Sequence, residues 1–433
     1  MSACSRGDAM RILTRGLLEA AIPVLFLAMP AYAQDSAFYT QCPDETDLHP
    51  DTDGEPGEPG IKCMHVSGGD GMVTMADGEP IYIFSFAKIP MPGESIPGGG
   101  TAPTIESGEY PGFAMDYGIL AAEAPAPTIE VDEDDELFLT LTNVGMAMRP
   151  DLFDPHTVHW HGFPEASSVF DGVPDASISI NMGASLTYYY NVKDAGTYMY
   201  HCHVEATEHM QMGMLGNLYV HPRQNKLPAQ TFPGGFSHVP WDPVTETGNR
   251  YAYNDGDGST RYDEAYPIQL GSFDKAFHDA SYTVQPLPFA DMRDTYFLLN
   301  GRGYPDTVAA EDAITTGGEN RQPVSSLIEA VAGERILLRI SNLNVTQFNT
   351  IGTNGPPMEV VALDARLLRA DDGTNMYYKT NSVTLGGGQS ADVIIDTSGI
   401  PSGTTFFLYS TNLEMLANHH DNFGGMMTEI RIN

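Results

Sequence analysis

The sequence predicts an all-β protein: two tandem Greek-key β-sandwich or barrel domains behind a loop-rich N-terminal extension. Three observations lead there. Short apolar runs such as IYIFSFAKI, ELFLTLTNV, SLTYYYNV, TYMYHCHV, RILLRISNL, ADVIIDT and TTFFLYS are separated by Gly, Pro, Asn and Asp, and no long helical periodicity competes with them. The chain has 433 residues with 44 glycines and 31 prolines, enough length for two ordinary domains and enough turn formers for many short strands. The two halves also repeat one another.

Taken in order, residues 1–33 read as an export signal: Arg11 and Arg15, an apolar stretch over 20–29, then Ala31-Tyr32-Ala33 as a small-x-small cleavage site. That apolar run is short for a membrane span and contains Pro23, so cleavage is expected, with the mature protein periplasmic or extracellular. No other stretch is apolar enough to cross a bilayer, so no span is expected in the mature chain. Residues 34–76 read as the extension. Of the four cysteines, Cys4 would leave with the signal. Cys42 and Cys63 flank an Asp/Gly/Pro-rich loop and are expected to pair in an oxidising compartment, leaving Cys202 over.

Residues 77–222 form the first domain, 223–266 a Gly/Asp/Pro/Tyr-rich linker and 267–433 the second domain. PTIEVDEDDELFLTLTNV in the first half matches SLIEAVAGERILLRISNL in the second; HTVHWHG (156–162) faces NTIGTNG (349–355), and GTYMYHCH (196–203) faces GTTFFLYSTN (403–412). On this alignment the second copy keeps the scaffold and lacks the histidines.

Six of the 13 histidines lie between His156 and His209. Side chains alternate along a strand, so His159 and His161 share a face with Trp160 opposite, and His201 and His203 share a face with Cys202 opposite. Two sites follow. One gathers the four imidazoles of His159, His161, His201 and His203. The other gathers His156, Cys202, His209 and Met214, two imidazoles and a thiolate with a thioether, a donor set suited to copper. Zinc also accepts Cys and His, but has no use for the methionine and leaves the four-histidine face unexplained. Met210 and Met212 are alternatives to Met214.

HTVHWHG and HCH-x5-H-x3-GM resemble the copper motifs of multicopper oxidases, which are built on cupredoxin domains. The resemblance implies that both domains are cupredoxin-like, with metal motifs only in the first. It implies His156, Cys202, His209 and Met214 on type 1 copper, His159 on type 2, and His161, His201 and His203 on the type 3 pair. It further implies that a small-molecule or metal-ion reductant delivers electrons to type 1 copper, and that the Cys-His peptide passes them to a cluster that reduces dioxygen. Asp171, in FDGVPDASI, resembles the family's acid near type 2 copper; Glu208 and Glu205 are further candidate proton carriers. Such a cluster takes eight histidines, and two-domain members draw four from the second domain, usually of a neighbour in a homotrimer. Here those positions read Gly352, Asn354, Ser410 and Asn412, while His419 and His420 are the nearest histidines in sequence. Two other readings stay open. One is an electron-transfer protein that kept type 1 copper. The other is a copper nitrite reductase-like enzyme, whose second-domain histidine position would hold Thr411.

The net charge of −36 argues against nucleic acid and anionic membrane surfaces as partners and leaves cations favoured.

Overall fold

A computed structural model describes residues 41–54 and 57–433. The expected signal and cleavage site lie outside the described residues. Among those described, no helix is long and apolar enough to cross a membrane.

The first domain is built from β1 (Ile61–Thr74), β2 (Pro80–Ile89), α1 (Tyr110–Gly118), β3 (Ala126–Asp132), β4 (Glu136–Gly145), β5 (His159–His161), β6 (Ser185–Asn191), β7 (Gly196–His201), α2 (Ala206–Gln211) and β8 (Leu215–His221). One sheet runs β2-β1-β4-β6 and the other β3-β8-β7-β5. Between them lies a core that includes Leu139, Trp160, Tyr188, Tyr190 and Leu218. Trp160 stacks on Tyr190 at 3.8 Å between ring centroids, which fixes its strand face and leaves its histidine neighbours on the other.

The loop-rich extension ends earlier than its composition suggests. Residues 61–74 form β1, a central strand paired antiparallel with β2 and parallel with β4. The segment SGGDG looks like a loop, but a Cβ at Gly68 would lie 2.8 Å from the His156 ring, at Gly69 2.7 Å from Val144 and at Gly71 3.1 Å from Ala122. The glycines are therefore required by close packing within a strand. Cys42 and Cys63 are bonded, tying the segment before β1 to its start.

The linker holds two short ladders, β9 (Gln230–Thr231) with β10 (Ser237–His238) and β11 (Arg250–Tyr251) with β12 (Arg261–Tyr262). The second domain follows with β13 (Glu264–Phe273), α3 (Lys275–Tyr282), β14 (Tyr296–Leu299), β15 (Ile328–Ala330), β16 (Arg335–Asn342), β17 (Asn349–Thr353), β18 (Met358–Leu363), β19 (Arg366–Leu367), β20 (Tyr378–Thr380), β21 (Ser382–Leu385), β22 (Gln389–Asp396), β23 (Thr404–Ser410) and β24 (Met427–Ile432). Its sheets run β14-β13-β16-β22-β18-β19 and β15-β24-β23-β17-β21, the first-domain orders with strands added at the edges. The parallel pairs recur as well: β1 with β4 matches β13 with β16, and β3 with β8 matches β15 with β24.

These ladders correct the alignment read from the sequence. His159 pairs with His201 and Gly352 with Tyr409; the Cys202 N–H donates to Met214 O, and the Ser410 N–H to Met426 O. Tyr409, Ser410 and Thr411 thus stand where His201, Cys202 and His203 stand, one residue earlier than Ser410 and Asn412 had been placed. Without histidines to anchor it, residue spacing alone left the register open by one.

A candidate copper centre and a four-histidine face

Both sites depend on the end of β7. His201 is its last residue, after which the chain turns through Glu205, whose backbone is left-handed at φ 45°, into α2, and that turn returns His209 to Cys202. The His209 Nδ1 lies 3.2 Å from the Cys202 sulfur. His156, held by an isolated antiparallel bridge to Ile180, completes a buried trio whose ligand atoms all lie within 4.8 Å of one another. Met214 is fully buried, and its N–H donates to His209 O at 2.8 Å. Met210 lines the cavity at the four-histidine face, on the opposite side from this trio, and Met212 is packed in the first-domain core.

The trio is arranged for a positive ion. Both ring nitrogens of His156 and the Nε2 of His209 are buried with no hydrogen-bond partner, a cost that a bound cation removes. Burial alone would push the Cys202 thiol up, yet the His209 and His156 imidazoles outweigh it and hold the thiol well below its ordinary range. Burial likewise pushes His209 down, while the Cys202 thiolate and Asp154 raise it to about 10. The Thr157 N–H points at the sulfur from 3.5 Å. One thiolate and two imidazoles, with the buried Met214 tied through its backbone to both Cys202 and His209, fit copper.

Asp154 is a site residue that the sequence reading missed. Its carboxylate lies 3.9 Å from His209 Nε2, and that imidazole holds it below the usual carboxylate range. It also lines a recess of 140 Å³ with Glu205 and Glu208. Glu205 is exposed; Glu208 is nearly buried, and burial raises its pKa.

On the other face the four imidazoles come together as strand alternation requires. Ring centroids are 5.2 Å apart for His159 and His201, 5.1 Å for His159 and His203, and 5.5 Å for His161 and His201. The ligand atoms of His159, His161 and His201 lie within 4.8 Å of one another. Two of the rings have a fixed tautomer. His201 Nδ1–H donates to Cys202 O at 2.8 Å and His159 Nδ1–H to Asp171 O at 2.6 Å, which leaves Nε2 of each as an acceptor. Burial lowers His201 to about 3 and also lowers His159 and His161, so the rings stay neutral and able to ligate. Asp171 acts on this face mainly through its backbone carbonyl, with a carboxylate oxygen 3.5 Å from the same nitrogen.

The face opens on a cavity of 580 Å³ whose far wall comes from the second domain, including Asn344, Gln347, Phe348 and Gly388. A Cβ at Gly388 would lie 2.5 Å from His161 Nε2. None of that wall is a histidine, and Gly352, Asn354, Tyr409 and Thr411 occupy the positions that would supply the other four. His419 and His420 do not line the cavity; they are exposed and lie against each other, with His419 against Tyr296. The remaining described histidines are engaged elsewhere, His49 with Glu136, His65 with Tyr110 and Thr142, His221 with Glu130, His238 with Tyr251, and His278 with the Tyr82 and Gln211 carbonyls. Among the described residues, one chain therefore supplies half of an eight-histidine cluster and does not fit the whole of it.

Fold and donor set together describe a tandem cupredoxin-like protein with a candidate copper centre in its first domain. The chain resembles the multicopper oxidases, and residues 116–225 match the family model described as Multicopper oxidase. Copper is the cofactor that this family implies. A multicopper oxidase of Talaromyces pinophilus is 32% identical over 124 residues, 28% of this chain and 19% of that one. Laccase-1 of Emericella nidulans is 35% identical over 111 residues, 24% of this chain and 16% of the other. These matches thus span less than a fifth of the length of either relative. Among solved structures, a blue copper oxidase from Nitrosomonas europaea superposes with a TM-score of 0.58 at 21% identity, covering 86% of each chain. A copper nitrite reductase from the same organism gives 0.50 at 14%, covering 86% of this chain and 93% of that one. At these identities the two likenesses speak for the fold.

Proposed function

We propose that the chain is an exported, copper-dependent oxidoreductase of the multicopper oxidase kind, with dioxygen as acceptor and a small-molecule or metal-ion reductant. The observation that carries this reading is Cys202 itself, one residue serving two sites: its thiol stands in the buried trio while its backbone joins it to His201 and His203. Copper held by His156, Cys202, His209 and Met214 would supply a one-electron acceptor.

The chain's own residues do the rest. Cys202 and His201 are joined by a peptide bond and again by the His201 Nδ1–H hydrogen bond to Cys202 O, two short routes for charge between the faces. Burial of all four residues of the first site keeps water from the thiolate. Asp154 offers an entry point, since a reductant in the acidic recess reaches the buried His209 through that carboxylate. Three carboxylates there, against one guanidinium, Arg149, that Asp151 already pairs at 2.7 Å, support a cationic, metal-ion reductant, in keeping with the net charge. His159, His161, His201 and His203 would hold copper on the other face, and Asp171 fixes His159 for that role. The chain itself lacks four of the eight histidines that a trinuclear cluster takes. That lack supports a second reading, an electron-transfer protein that retains only the Cys202 centre.

The test is copper per chain measured together with oxygen uptake. Several coppers with uptake support the oxidase, whereas one copper without uptake supports electron transfer. Cys202→Ser should abolish the blue thiolate-to-copper absorption and leave the fold. His161→Ala should remove uptake and the copper of the second face while the blue colour survives. A colourless, zinc-loaded wild type would overturn the copper assignment.

A further inference from the structure

A second cavity, of 390 Å³, lies where the two domains and the linker meet. Its walls come from β3 and β8 (Glu130, Tyr219), the linker (Trp241, Arg250) and β13 and β16 (Tyr266, Arg339). Neither the four-histidine face nor the acidic recess shares a residue with it.

Two of its lining side chains have hydrogen-bonding groups that nothing satisfies. Arg339 is 2% exposed and Tyr219 3%, yet the Arg339 Nη2 and the Tyr219 hydroxyl have no partner. The rest of the Arg339 guanidinium is engaged: Nη1 donates to Thr197 at 3.0 Å and lies 3.7 Å from Asp392, and the group sits 5.1 Å from the Tyr219 ring centroid. A buried cationic donor left open is costly, so its natural complement is an acceptor that enters the cavity.

No lining carboxylate hydrogen-bonds the Arg339 Nη2. Glu130 feels the Arg339 charge but is bonded to His221 at 3.2 Å, and Asp132 is held by Lys226 at 2.9 Å. Three further aromatic side chains, Trp241, Tyr262 and Tyr266, stand on the wall, and the Arg250 guanidinium lies over the Trp241 and Tyr262 rings at 4.6 and 5.1 Å. The volume suits a one-ring molecule.

We infer that this cavity is a binding site for a small aromatic carboxylate, its carboxylate accepting from Arg339 Nη2 and the Tyr219 hydroxyl and its ring packed against Tyr266 and Trp241. The site is independent of the copper chemistry.

Benzoate is the probe, titrated into the copper-loaded full chain while tryptophan emission is followed. The chain has two tryptophans, and Trp160 is fully buried in the first-domain core, so a saturable change reports Trp241. Trp241→Phe should abolish the change, and Tyr219→Phe, which keeps the ring and removes the donor, should weaken binding by about tenfold. Benzyl alcohol, the same ring without the charge, should bind at least about tenfold more weakly to the wild type. No saturable change, equal binding of benzyl alcohol, or undiminished binding by folded Tyr219→Phe would overturn the proposal. So would a benzoate effect confined to the blue absorption, which would place it at the copper centre.

Discussion

Gly68→Ala places a single methyl group against one donor of the candidate copper centre. The new Cβ would lie 2.8 Å from His156 Cδ2, 3.3 Å from Cγ and 3.4 Å from a Leu141 methyl. Reaching an ordinary contact of 3.4 Å requires the ring to retreat by about 0.6 Å, and His156 is fully buried. Overpacking of this kind costs about 1–3 kcal/mol, partly offset by about 0.4–1 kcal/mol from the stiffer unfolded chain. The net expectation is a loss of about 1–2 kcal/mol in urea unfolding of the copper-free protein. The effect on the metal should be larger in proportion, because a ligand set tolerates about 0.5 Å of displacement before its geometry fails. Copper titration followed by blue absorption should show an affinity loss of about tenfold or more and a shifted band. Gly71→Ala is the control: its Cβ would meet Ala122 at 3.1 Å, so it should cost stability and leave the colour alone. If Gly68→Ala binds copper with wild-type affinity and spectrum, His156 is not a donor and the trio is misread.

Replacing both Cys42 and Cys63 by Ala should lower the unfolding free energy by about 3 kcal/mol, because the bridge closes a loop with a sequence separation of 21; equilibrium unfolding with and without the bridge measures it. Asp154→Asn should raise KM for ferrous or manganous ion several-fold and leave a neutral phenol's KM nearly unchanged, and equal effects on both would remove the acidic recess as an entry point. His65 should contribute to acid lability, since burial lowers it to about 3 from 6.5. Below pH 6.5 the unfolded chain takes up a proton that the folded chain refuses. The contribution is therefore full above 6.5 and is lost as pH falls towards 3, at up to about 1.4 kcal/mol per pH unit. His65→Gln should flatten that limb of a stability–pH profile, and an unchanged slope would refute it.

How much of this was legible beforehand differs from residue to residue. The two faces around β5 and β7 followed from strand alternation alone, because His159, Trp160 and His161 leave no other arrangement in an extended chain. Strand β1 was hidden by its own composition. Its glycines exist to let β1 approach the His156 ring and Val144, and only the packed structure shows what they touch. Asp154 went unnoticed because an acid before a proline reads as a turn until His209 is found beside it. Asp171 was found by its motif, yet its backbone carbonyl makes the closer contact, which any residue type could provide. Gly172 after it is more constrained: its φ is 75°, and a Cβ there would lie 2.2 Å from Val158 O.

The second domain shows what each face becomes when a cupredoxin-like scaffold carries neither histidine nor cysteine at the corresponding positions. Met426 N–H donates to Met415 O as Met214 N–H donates to His209 O, so Asn349, Ser410, Met415 and Met426 take the places of His156, Cys202, His209 and Met214. All four are buried, and the Ser410 hydroxyl sits 3.3 Å from the Met415 sulfur. Interior positions are also core positions, so here they fill with side chains that pack there, the Ser410 hydroxyl on the Met415 sulfur and the Asn349 amide donating to Asn342 Oδ1 at 3.2 Å. The outer positions carry no such demand and read Gly352, Asn354, Tyr409 and Thr411. What the domain retains is its grip on the first. The ring nitrogens of His278, on α3, lie 2.5 Å from Tyr82 O and 3.0 Å from Gln211 O, and Arg149 donates to Ser281 O at the end of the same helix. These contacts hold α2, and with it His209, against the first-domain sheet. A domain with no histidine at the corresponding positions thereby sets the position of a candidate ligand in its neighbour.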